Sequence, residues 1–287
     1  MTAPGTIAEA LDGAARSLAE AGIGEPRMEA RLLAGHALRV DPAVVLGHPE
    51  RALTRIERTR LAVLVRRRAR REPIAQLFGE REFWSLKFKV TADVLTPRSD
   101  SETVVEAALA GVPDRGAPLR LLDLGTGTGC LLLALLSELE GAQGLGVDIS
   151  PAAVKVARAN AAALGFADRA TFRTGDWGRG IRGPFDLIVA NPPYIPSSAV
   201  ESLEPEVARF EPRRALSGGV DGLDCYRRLV PDVARLLKPG ATAVVEVGAG
   251  QAARVSAILA GHGLHPVAIQ ADLSGIERCL IATPHVD

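Results

Sequence analysis

The sequence predicts an α/β fold, a parallel sheet with helices on both faces, preceded by a smaller helical region. Short apolar runs of strand length alternate with helical segments from residue 119 onward, which is the order that produces a doubly wound sheet. The first run ends in a glycine-rich turn, and acidic residues follow the next two runs. Ligands bind at the carboxyl ends of strands in open α/β sheets, so we expect a binding site at this edge.

The composition is that of an ordinary globular protein. The 287 residues are 47% hydrophobic and 24% charged, enough for one large and one small domain, each with its own core. The net charge of zero gives no general indication of a nucleic-acid or acidic-membrane partner. The cysteines, Cys130, Cys225 and Cys279, are odd in number and lack metal-ligand spacing, so we expect neither a disulfide framework nor a metal.

Membrane and export signals are also missing from the sequence pattern. No apolar run approaches the ~18 residues of a membrane span. The start of the chain lacks the charged and apolar regions of a signal peptide. We therefore expect a cytoplasmic protein without a membrane anchor.

Residues 4–72 are predicted to be helical. Apolar residues recur at helical spacing at Ile7, Leu11, Ala14 and Leu18. Segment 54–72 is also amphipathic and is unusually basic. It offers a surface for an acidic partner or RNA, or it is simply a solvated helix face. The solvated face is favoured because the excess of positive charge is small. Its arginines are Arg55, Arg58, Arg60, Arg66, Arg67, Arg68, Arg70 and Arg71.

The periodicity changes between residues 74 and 94. Segments 74–78 and 83–90 alternate apolar with polar residues and flank residues 79–82, a pattern that predicts a β-hairpin. We interpret residues 73–94 as a connector, which gives a helical domain at 1–72 and a sheet domain at 95–287. Phe83 and Trp84 are candidate substrate contacts, although packing between the domains is the favoured interpretation.

After the connector and a loose linker at 111–118, regular alternation of strands and helices begins. Strands are predicted at 119–124, 143–148, 170–174, 185–190, 242–247, 265–270 and 277–282.

The turn after the first of these strands contains Gly125, Gly127 and Gly129, interleaved with threonines such as Thr126. Glycines let the backbone approach a ligand, and the following helix offers free N–H groups. The spacing G-x-G-x-G differs from the dinucleotide fingerprint G-x-G-x-x-G. Asp123 stands two positions before the first glycine, where an acid suits a cationic ligand better than a pyrophosphate.

Acidic residues end the next two strands. Asp148 can accept hydrogen bonds from both hydroxyls of a ribose. Asp176 can accept from an adenine amino group, and Trp177 can lie against the face of the base. Each acid alone is more often a surface or capping group. Together with Asp123 and the glycine turn, they predict a site for a nucleoside-containing cofactor.

The tetrapeptide Asn191-Pro192-Pro193-Tyr194 follows the strand at 185–190. Two successive prolines fix two φ angles and remove two backbone donors, so the chain leaves the strand in one stiff conformation. Such a segment is equally typical of a plain strand-ending turn, and the neighbouring cofactor motifs favour a role in chemistry. Glu246, at the end of another strand, is either a pocket residue or part of a surface turn.

These features together resemble the class I S-adenosylmethionine-dependent methyltransferases. Within that class the chain resembles the release factor glutamine methyltransferases, the HemK/PrmC family, over nearly its whole length. The tetrapeptide is shared with adenine methyltransferases, whereas the segments around Phe83-Trp84-Ser85 and Pro97-Arg98 are more specific. One departure is Ser99, where the family usually has proline, which loosens this turn. The matching segments are 72–79, 81–86, 96–102, 123–129, 191–195 and 211–216.

The resemblance implies a Rossmann-like sheet of seven strands, S-adenosylmethionine as cofactor, and N5-methylation of the glutamine in the Gly-Gly-Gln motif of class I peptide chain release factors. It also implies that the N-terminal helices bind the release factor. We expect a monomer that makes no direct contact with nucleic acid. The implied cofactor contacts are Asp123, Gly125, Thr126, Gly127, Gly129, Asp148, Asp176, Trp177 and Asn191. Asn191, Pro192 and Tyr194 are the implied catalytic residues, and Pro193, Arg98 and Glu246 are further substrate contacts.

Three alternatives remain at this point. An adenine-N6 nucleic-acid methyltransferase would share the tetrapeptide and use the basic helix for phosphates. Zero net charge and the lack of an aromatic and basic recognition module disfavour it. A non-catalytic protein that binds a nucleotide-like ligand and clamps a partner is disfavoured by the intact tetrapeptide and glycine turn. A nicotinamide dehydrogenase is disfavoured by the glycine spacing.

Overall fold

The computed structural model describes residues 5–284. The predicted domain ends at residues 1–4 and 285–287 lie outside this range. The chain forms two compact units. The helical unit contains the residues up to Gly79 together with Pro205–Phe210, and the sheet unit contains Glu80–Glu204 and the residues from Glu211 onward. The predicted connector is therefore divided between the units at Gly79.

The observed strands of the main sheet agree closely with the predicted ones. In chain order the helices are α1 (Ile7–Glu20), α2 (Pro26–Leu38), α3 (Pro42–Gly47), α4 (Arg55–Ala69), α5 (Ile74–Phe78), α6 (Glu102–Ala110), α7 (Cys130–Glu138), α8 (Pro151–Ala163), α9 (Pro205–Phe210), α10 (Asp224–Leu236) and α11 (Ala252–Ala260). The strands are β1 (Glu80–Phe83), β2 (Leu86–Lys89), β3 (Arg120–Leu124), β4 (Gln143–Asp148), β5 (Ala170–Thr174), β6 (Phe185–Ala190), β7 (Leu237–Glu246), β8 (Leu264–Ala271) and β9 (Glu277–Pro284).

The helical unit is organised around α4 and one buried arginine. Arg68 is only 6% exposed, and its guanidinium donates to both carboxylate oxygens of Glu29, at 2.5 and 3.1 Å. It also pairs with Glu206 of α9 at 2.8 Å, which ties that short helix into the unit. Arg67 pairs with Glu72. Arg68 therefore departs from the expected solvated face, whereas the side chain of Arg67 is 43% exposed. The exposed arginines also fit that face: Arg55, Arg60, Arg66 and Arg70.

The hairpin is shifted relative to its prediction. Segment 74–78 is the short helix α5, which ends at Gly79 in the left-handed conformation. The hairpin pairs β1 with β2, and its turn is Trp84-Ser85, both with positive φ (51° and 57°). A two-residue hairpin turn of this kind normally uses asparagine and glycine. The hairpin turn was predicted at residues 79–82 because glycine is common in turns, but Gly79 ends helix α5 instead.

Phe83 packs inside the sheet unit rather than between units. It is 1% exposed and meets Phe88 edge to face, with ring centroids 6.2 Å apart. Both rings belong to the core cluster beneath α6 and α7. The hairpin is thus part of the sheet unit.

The main sheet has seven strands in the order β5-β4-β3-β6-β7-β9-β8. The pairs from β5 to β7 are parallel, as predicted, but β9 runs antiparallel to both β7 and β8. The sheet is therefore mixed. The short connection between β8 and β9 requires these two strands to run antiparallel. The strand order reverses between β3 and β6, the topological switch point at which α/β folds bind ligands.

Alternate side chains of the central strands enter different cores. In β3, Leu121 packs in the cluster with α6, α7 and α8, whereas Leu122 and Leu124 pack in the cluster with α10 and α11. This two-residue alternation is the consequence of strand geometry. Helices therefore cover both faces, as the sequence predicts.

Asn160 of α8 joins the hairpin to the glycine turn. Its side chain accepts from the Lys89 N–H at 2.7 Å and donates to the Lys89 and Thr128 carbonyls at 3.2 and 2.9 Å. The residue is 1% exposed. One buried amide therefore satisfies three backbone groups from two segments.

We predict that Asn160→Ala lowers the free energy of unfolding by about 2–4 kcal/mol. The substitution leaves buried backbone donors and acceptors unpaired, at a cost of about 1–3 kcal/mol each. Gln143→Ala, an exposed amide at the start of β4, is the matched control and should change stability by no more than about 0.5 kcal/mol. Urea unfolding measures both, and equal midpoints for the two variants would contradict the prediction.

Candidate active site

A cavity of about 330 Å³ opens at the carboxyl ends of β3, β4, β5 and β6. This volume lies at the small end of the range for ligand pockets. Of the predicted site residues, Gly125, Gly127, Asp148, Asp176, Trp177, Asn191 and Pro193 line it. The topological switch point thus collects residues from four separate predicted motifs.

Asp148 sits at the end of β4 with its carboxylate held in place by the backbone. Its oxygens accept from the N–H of Gly127 at 2.9 Å and of Ser150 at 2.8 Å. Burial raises the pKa of this carboxyl, while those two N–H groups act in the opposite direction. Each oxygen keeps a lone pair, so the carboxylate can accept two hydroxyls of a ribose.

Asp123 lies behind the glycine turn rather than in the cavity wall. It is fully buried and accepts from the Thr126 hydroxyl at 2.6 Å. Burial raises its pKa to about 7, and nearby Asp148 adds to the effect. Side chains in a strand alternate between faces, and Asp123 takes the face that carries α7. Asp123 and Thr126 do not line the cavity; the bond between them shapes the turn, and their expected contacts with a ligand stay a prediction.

The remaining glycine of the turn, Gly129, has a packing role. A Cβ there would lie 3.2 Å from the ring of Phe172 and 3.3 Å from Ala157. Its backbone is left-handed, with φ of 82°. Gly129 therefore lets α7 start against the sheet, and its expected contact with a ligand stays a prediction.

Asp176 and Trp177 both line the cavity. The first is paired with an arginine, and the second presents its ring. Both carboxylate oxygens of Asp176 accept from Arg228, at 2.7 and 2.9 Å, and each keeps a lone pair for an adenine amino group. Trp177 adopts a left-handed backbone with φ of 47°. Its ring lies over Gly125, where an added Cβ would be 3.3 Å away. The indole face therefore borders the cavity as predicted.

The tetrapeptide is held from behind by polar side chains. Asn191 Nδ2 donates to Ser101 Oγ at 3.0 Å. The Tyr194 hydroxyl donates to Glu246 Oε1 at 3.3 Å, and the Tyr194 carbonyl accepts from Gln251 Nε2 at 2.9 Å. Burial raises the pKa of Tyr194 to about 12, and Glu246 adds to the effect. The phenol therefore stays protonated at neutral pH.

A glycine-rich segment packs closely against the tetrapeptide. Ile195 donates to the Leu216 carbonyl at 3.0 Å and accepts from the Gly218 N–H at 2.9 Å. A Cβ at Gly218 would lie 2.6 Å from the Pro193 carbonyl, and one at Gly222 would lie 2.4 Å from the Tyr194 carbonyl. Sequence reasoning missed these glycines, Ser101 and Gln251. The clustering of glycines within residues 218–222 was the available signal for Gly218 and Gly222.

Arg98 and Glu246 do not line the cavity. Arg98 donates to Glu211 Oε2 at 2.6 Å, and Glu211 also accepts from the Thr96 N–H at 3.4 Å. Arg98 therefore ties two segments together, and its expected role as a substrate contact stays a prediction. Glu246 is 1% exposed and lies behind Tyr194, so the interpretation as a surface turn is wrong.

The sequence matches known families on both units. Residues 9–79 match the PrmC N-terminal domain, and residues 117–259 match a methyltransferase domain. A release factor glutamine methyltransferase of Rhodospirillum rubrum is 53% identical over 95% of this chain and 83% of its own length. The chain belongs to the release factor glutamine methyltransferase family. Enzymes of that name from Bradyrhizobium diazoefficiens and Caulobacter vibrioides are 43% and 42% identical, each over 96% of this chain and 95% and 96% of their own lengths.

A solved structure shares the fold over about two thirds of the chain at much lower identity. The ribosomal protein L11 methylase of Lactobacillus delbrueckii subsp. bulgaricus aligns with a TM-score of 0.51 and 18% identity, over 68% of this chain and 83% of its own. Within residues 5–284 no helix is long and apolar enough to cross a membrane. The family and this fold make the chain a methyltransferase with a Rossmann-like sheet.

S-adenosylmethionine is the cofactor of this methyltransferase, and the cavity fits it. Asp148 presents acceptors for ribose hydroxyls, and Trp177 presents an aromatic face for a base. Gly125 and Gly127, with φ of 80° and 53°, bring the backbone to the cavity without a side chain.

We predict that Gly218→Ala displaces the tetrapeptide. The new methyl group would meet the Pro193 carbonyl and the Tyr194 Cα, 2.8 Å away, and overpacking of this kind costs about 1–3 kcal/mol. Methyl transfer should fall about tenfold to a hundredfold, because a shift of about 1 Å has such effects on positioned reactants.

Gly111→Ala is the matched control, since its Cβ would meet only Ala108 O at 3.6 Å and Thr242 Oγ1 at 3.7 Å. Normal methyl transfer by Gly218→Ala in a radiolabel assay would show that this glycine does not support the tetrapeptide.

Proposed function

We propose that this chain transfers a methyl group from S-adenosylmethionine to N5 of the glutamine in the Gly-Gly-Gln motif of class I peptide chain release factors. Membership of the family supports the reaction. The observation that carries it in the structure is the tetrapeptide, whose Asn191 and Pro193 line the cofactor cavity. The planar amide nitrogen of the glutamine and the methyl group of S-adenosylmethionine can therefore meet at the carboxyl end of β6.

The chemical difficulty is the poor nucleophile. The nitrogen lone pair of an amide is delocalised into its carbonyl, so positioning matters more than removal of a proton. In our proposal the Asn191 Oδ1 and the Pro192 carbonyl each accept one N–H of the glutamine amide. The lone-pair face then points at the sulfonium methyl that the cofactor supplies.

Two effects lower the barrier. Holding the reactants in line is worth on the order of 7–11 kcal/mol. Acceptors aimed at the nitrogen stabilise the positive charge that grows on it during transfer. The proline pair fixes both acceptors without reorganisation. The N-methylated nitrogen then loses its proton readily to solvent, so a separate general base is unnecessary, and Tyr194, with its high pKa, packs on the planar amide.

The cofactor contacts follow from the cavity. Asp148 accepts the ribose hydroxyls, Trp177 lies against the adenine, and Gly125 and Gly127 admit the rest of the molecule. Asp123 supports cofactor binding indirectly, because it accepts a hydrogen bond from Thr126 in the glycine turn. Asp176 contributes through its ion pair with Arg228.

The helical unit is proposed to bind the release factor. Large apolar side chains are exposed on it, including Met28 (50%), Leu46 (52%) and Ile56 (63%). Arg67 and Arg68 of the basic helix are engaged in ion pairs within that unit. The relatives are named for release factors, which disfavours the alternative of an adenine substrate. We further infer that the enzyme works as a monomer in the cytoplasm.

We predict that Asp148→Ala weakens cofactor binding about tenfold to a hundredfold. Hydrogen bonds to a charged group contribute about 1.5–3 kcal/mol each, and the carboxylate lies at the cavity with free lone pairs. Asp176→Ala is the matched control and should weaken binding less than tenfold, because its carboxylate is paired with Arg228. Calorimetric titration with S-adenosylmethionine measures both affinities. Equal losses for the two variants would contradict the assigned role of Asp148.

The function itself is tested by incubation of the full chain with labelled S-adenosylmethionine and a purified class I release factor. Mass spectrometry of the Gly-Gly-Gln peptide should show one added methyl on glutamine. Asn191→Ala should reduce this transfer about a hundredfold or more, since removal of one oriented polar group from a reaction site typically costs that much. A glutamine without added methyl after incubation with the wild-type chain defeats the proposal.

A further inference from the structure

A buried polar chain lies behind the catalytic tetrapeptide. Asn191 Nδ2 donates to Ser101 Oγ, and the Tyr194 hydroxyl donates to Glu246 Oε1. Ser101 is 3% exposed and Glu246 is 1% exposed. Both polar side chains of the tetrapeptide are therefore held by groups that are shielded from bulk solvent.

The proton of Ser101 has one evident acceptor. A serine hydroxyl has one proton and two lone pairs, and its oxygen already accepts from Asn191. Among the described residues, Oε2 of Glu246 is buried and without a hydrogen-bond partner. The Ser101 hydroxyl interacts with this carboxyl and lowers its pKa. A hydrogen bond from the hydroxyl to Oε2 would satisfy both groups.

We propose that Ser101 and Glu246 are positioning residues that determine which end of the Asn191 amide faces the substrate. This inference rests on the proposed function. When Ser101 donates to Glu246, it offers only lone pairs to Asn191. The NH₂ group of Asn191 must then turn to Ser101, and its Oδ1 turns to the glutamine amide.

Packing cannot make this choice. The oxygen and NH₂ ends of a carboxamide have nearly the same size, so either fits the same space. If the amide were reversed, the NH₂ group of Asn191 would meet the N–H groups of the substrate, donor against donor. A polar chain that ends in a carboxylate is the feature that gives the amide one direction.

The protonation of Glu246 controls the direction of this chain. Burial raises the pKa of Glu246 to about 7, and Ser101, Arg278 and Tyr194 oppose that rise. The ionised carboxyl can only accept, whereas the neutral acid can donate to Ser101, which frees Asn191 to reverse. Methyl transfer should therefore fall as the pH drops through about 7. The other titratable groups that interact with this carboxyl are Asp100, Tyr226, Cys130 and Cys279.

The test compares Ser101→Ala, Ser101→Thr and Glu246→Gln with the wild-type chain, using S-adenosylmethionine and a purified release factor over a range of about pH 5.5 to 8.5. Ser101→Ala should lower kcat about tenfold to a hundredfold, leave cofactor affinity unchanged and abolish the pH dependence. Ser101→Thr keeps the hydroxyl and should restore both kcat and the pH profile. Glu246→Gln should lack the inflection near pH 7. Ser99→Ala, an exposed serine in the same turn, is the control with wild-type behaviour.

Wild-type kcat and pH profile in Ser101→Ala, beside an active wild-type enzyme, would overturn the inference and leave the proposed function intact. No methyl on glutamine with the wild-type chain would defeat the function instead. A readout independent of activity is the exchange of the Asn191 side-chain NH₂ protons, followed by nuclear magnetic resonance. These protons should exchange at least about tenfold faster in Ser101→Ala than in wild type, and equal rates would refute the hydrogen-bonded chain. Thermal unfolding verifies that each variant is folded.

Discussion

The site depends on a carboxyl group that is buried where charge is costly. Glu246 ends β7, accepts from the Tyr194 hydroxyl through its side chain, and accepts from the Tyr226 hydroxyl at 2.9 Å through its backbone carbonyl. Removing such a group from water is unfavourable unless partners compensate. Arg278 and the surrounding hydroxyls supply that compensation. Two of these partners are linked to the tetrapeptide, since Ser101 accepts from Asn191 and the Tyr194 hydroxyl is part of it. The burial of one carboxyl is therefore coupled to both ends of Asn191-Pro192-Pro193-Tyr194.

The cofactor half of the site is assembled by separate means. Left-handed glycines and a carboxylate held by two backbone N–H groups shape it, and Asp123 supports the turn from behind. The two halves meet because β3 and β6 are neighbours at the switch point of the sheet. The fold thereby brings a methyl donor and an amide acceptor together from motifs about 60 residues apart in the chain, as doubly wound sheets commonly do.

Strands and cofactor motifs were predictable because they depend on local patterns. The bounds of β4 and β6 follow from apolar runs, and Asp148, Trp177 and Asn191 follow from their places at strand ends. The hairpin was not predictable, because its Trp84-Ser85 turn lacks the usual glycine and Gly79 suggested a turn at residues 79–82. Side-chain partners such as Arg228 for Asp176, or Glu211 for Arg98, lie 52 and 113 residues away in sequence. Such pairs are set by tertiary packing, which single-sequence patterns do not contain.

The direction of the Asn191 amide is the point on which substrate positioning, the buried carboxyl and the chemistry all converge. It is observed most directly in a crystal structure of the full chain with S-adenosylhomocysteine and a class I release factor. We expect the glutamine amide nitrogen at about 3 Å from both Asn191 Oδ1 and the Pro192 carbonyl oxygen, with Asn191 Nδ2 on Ser101. A glutamine amide bound away from these two acceptors, or facing Asn191 Nδ2, would contradict the proposed clamp.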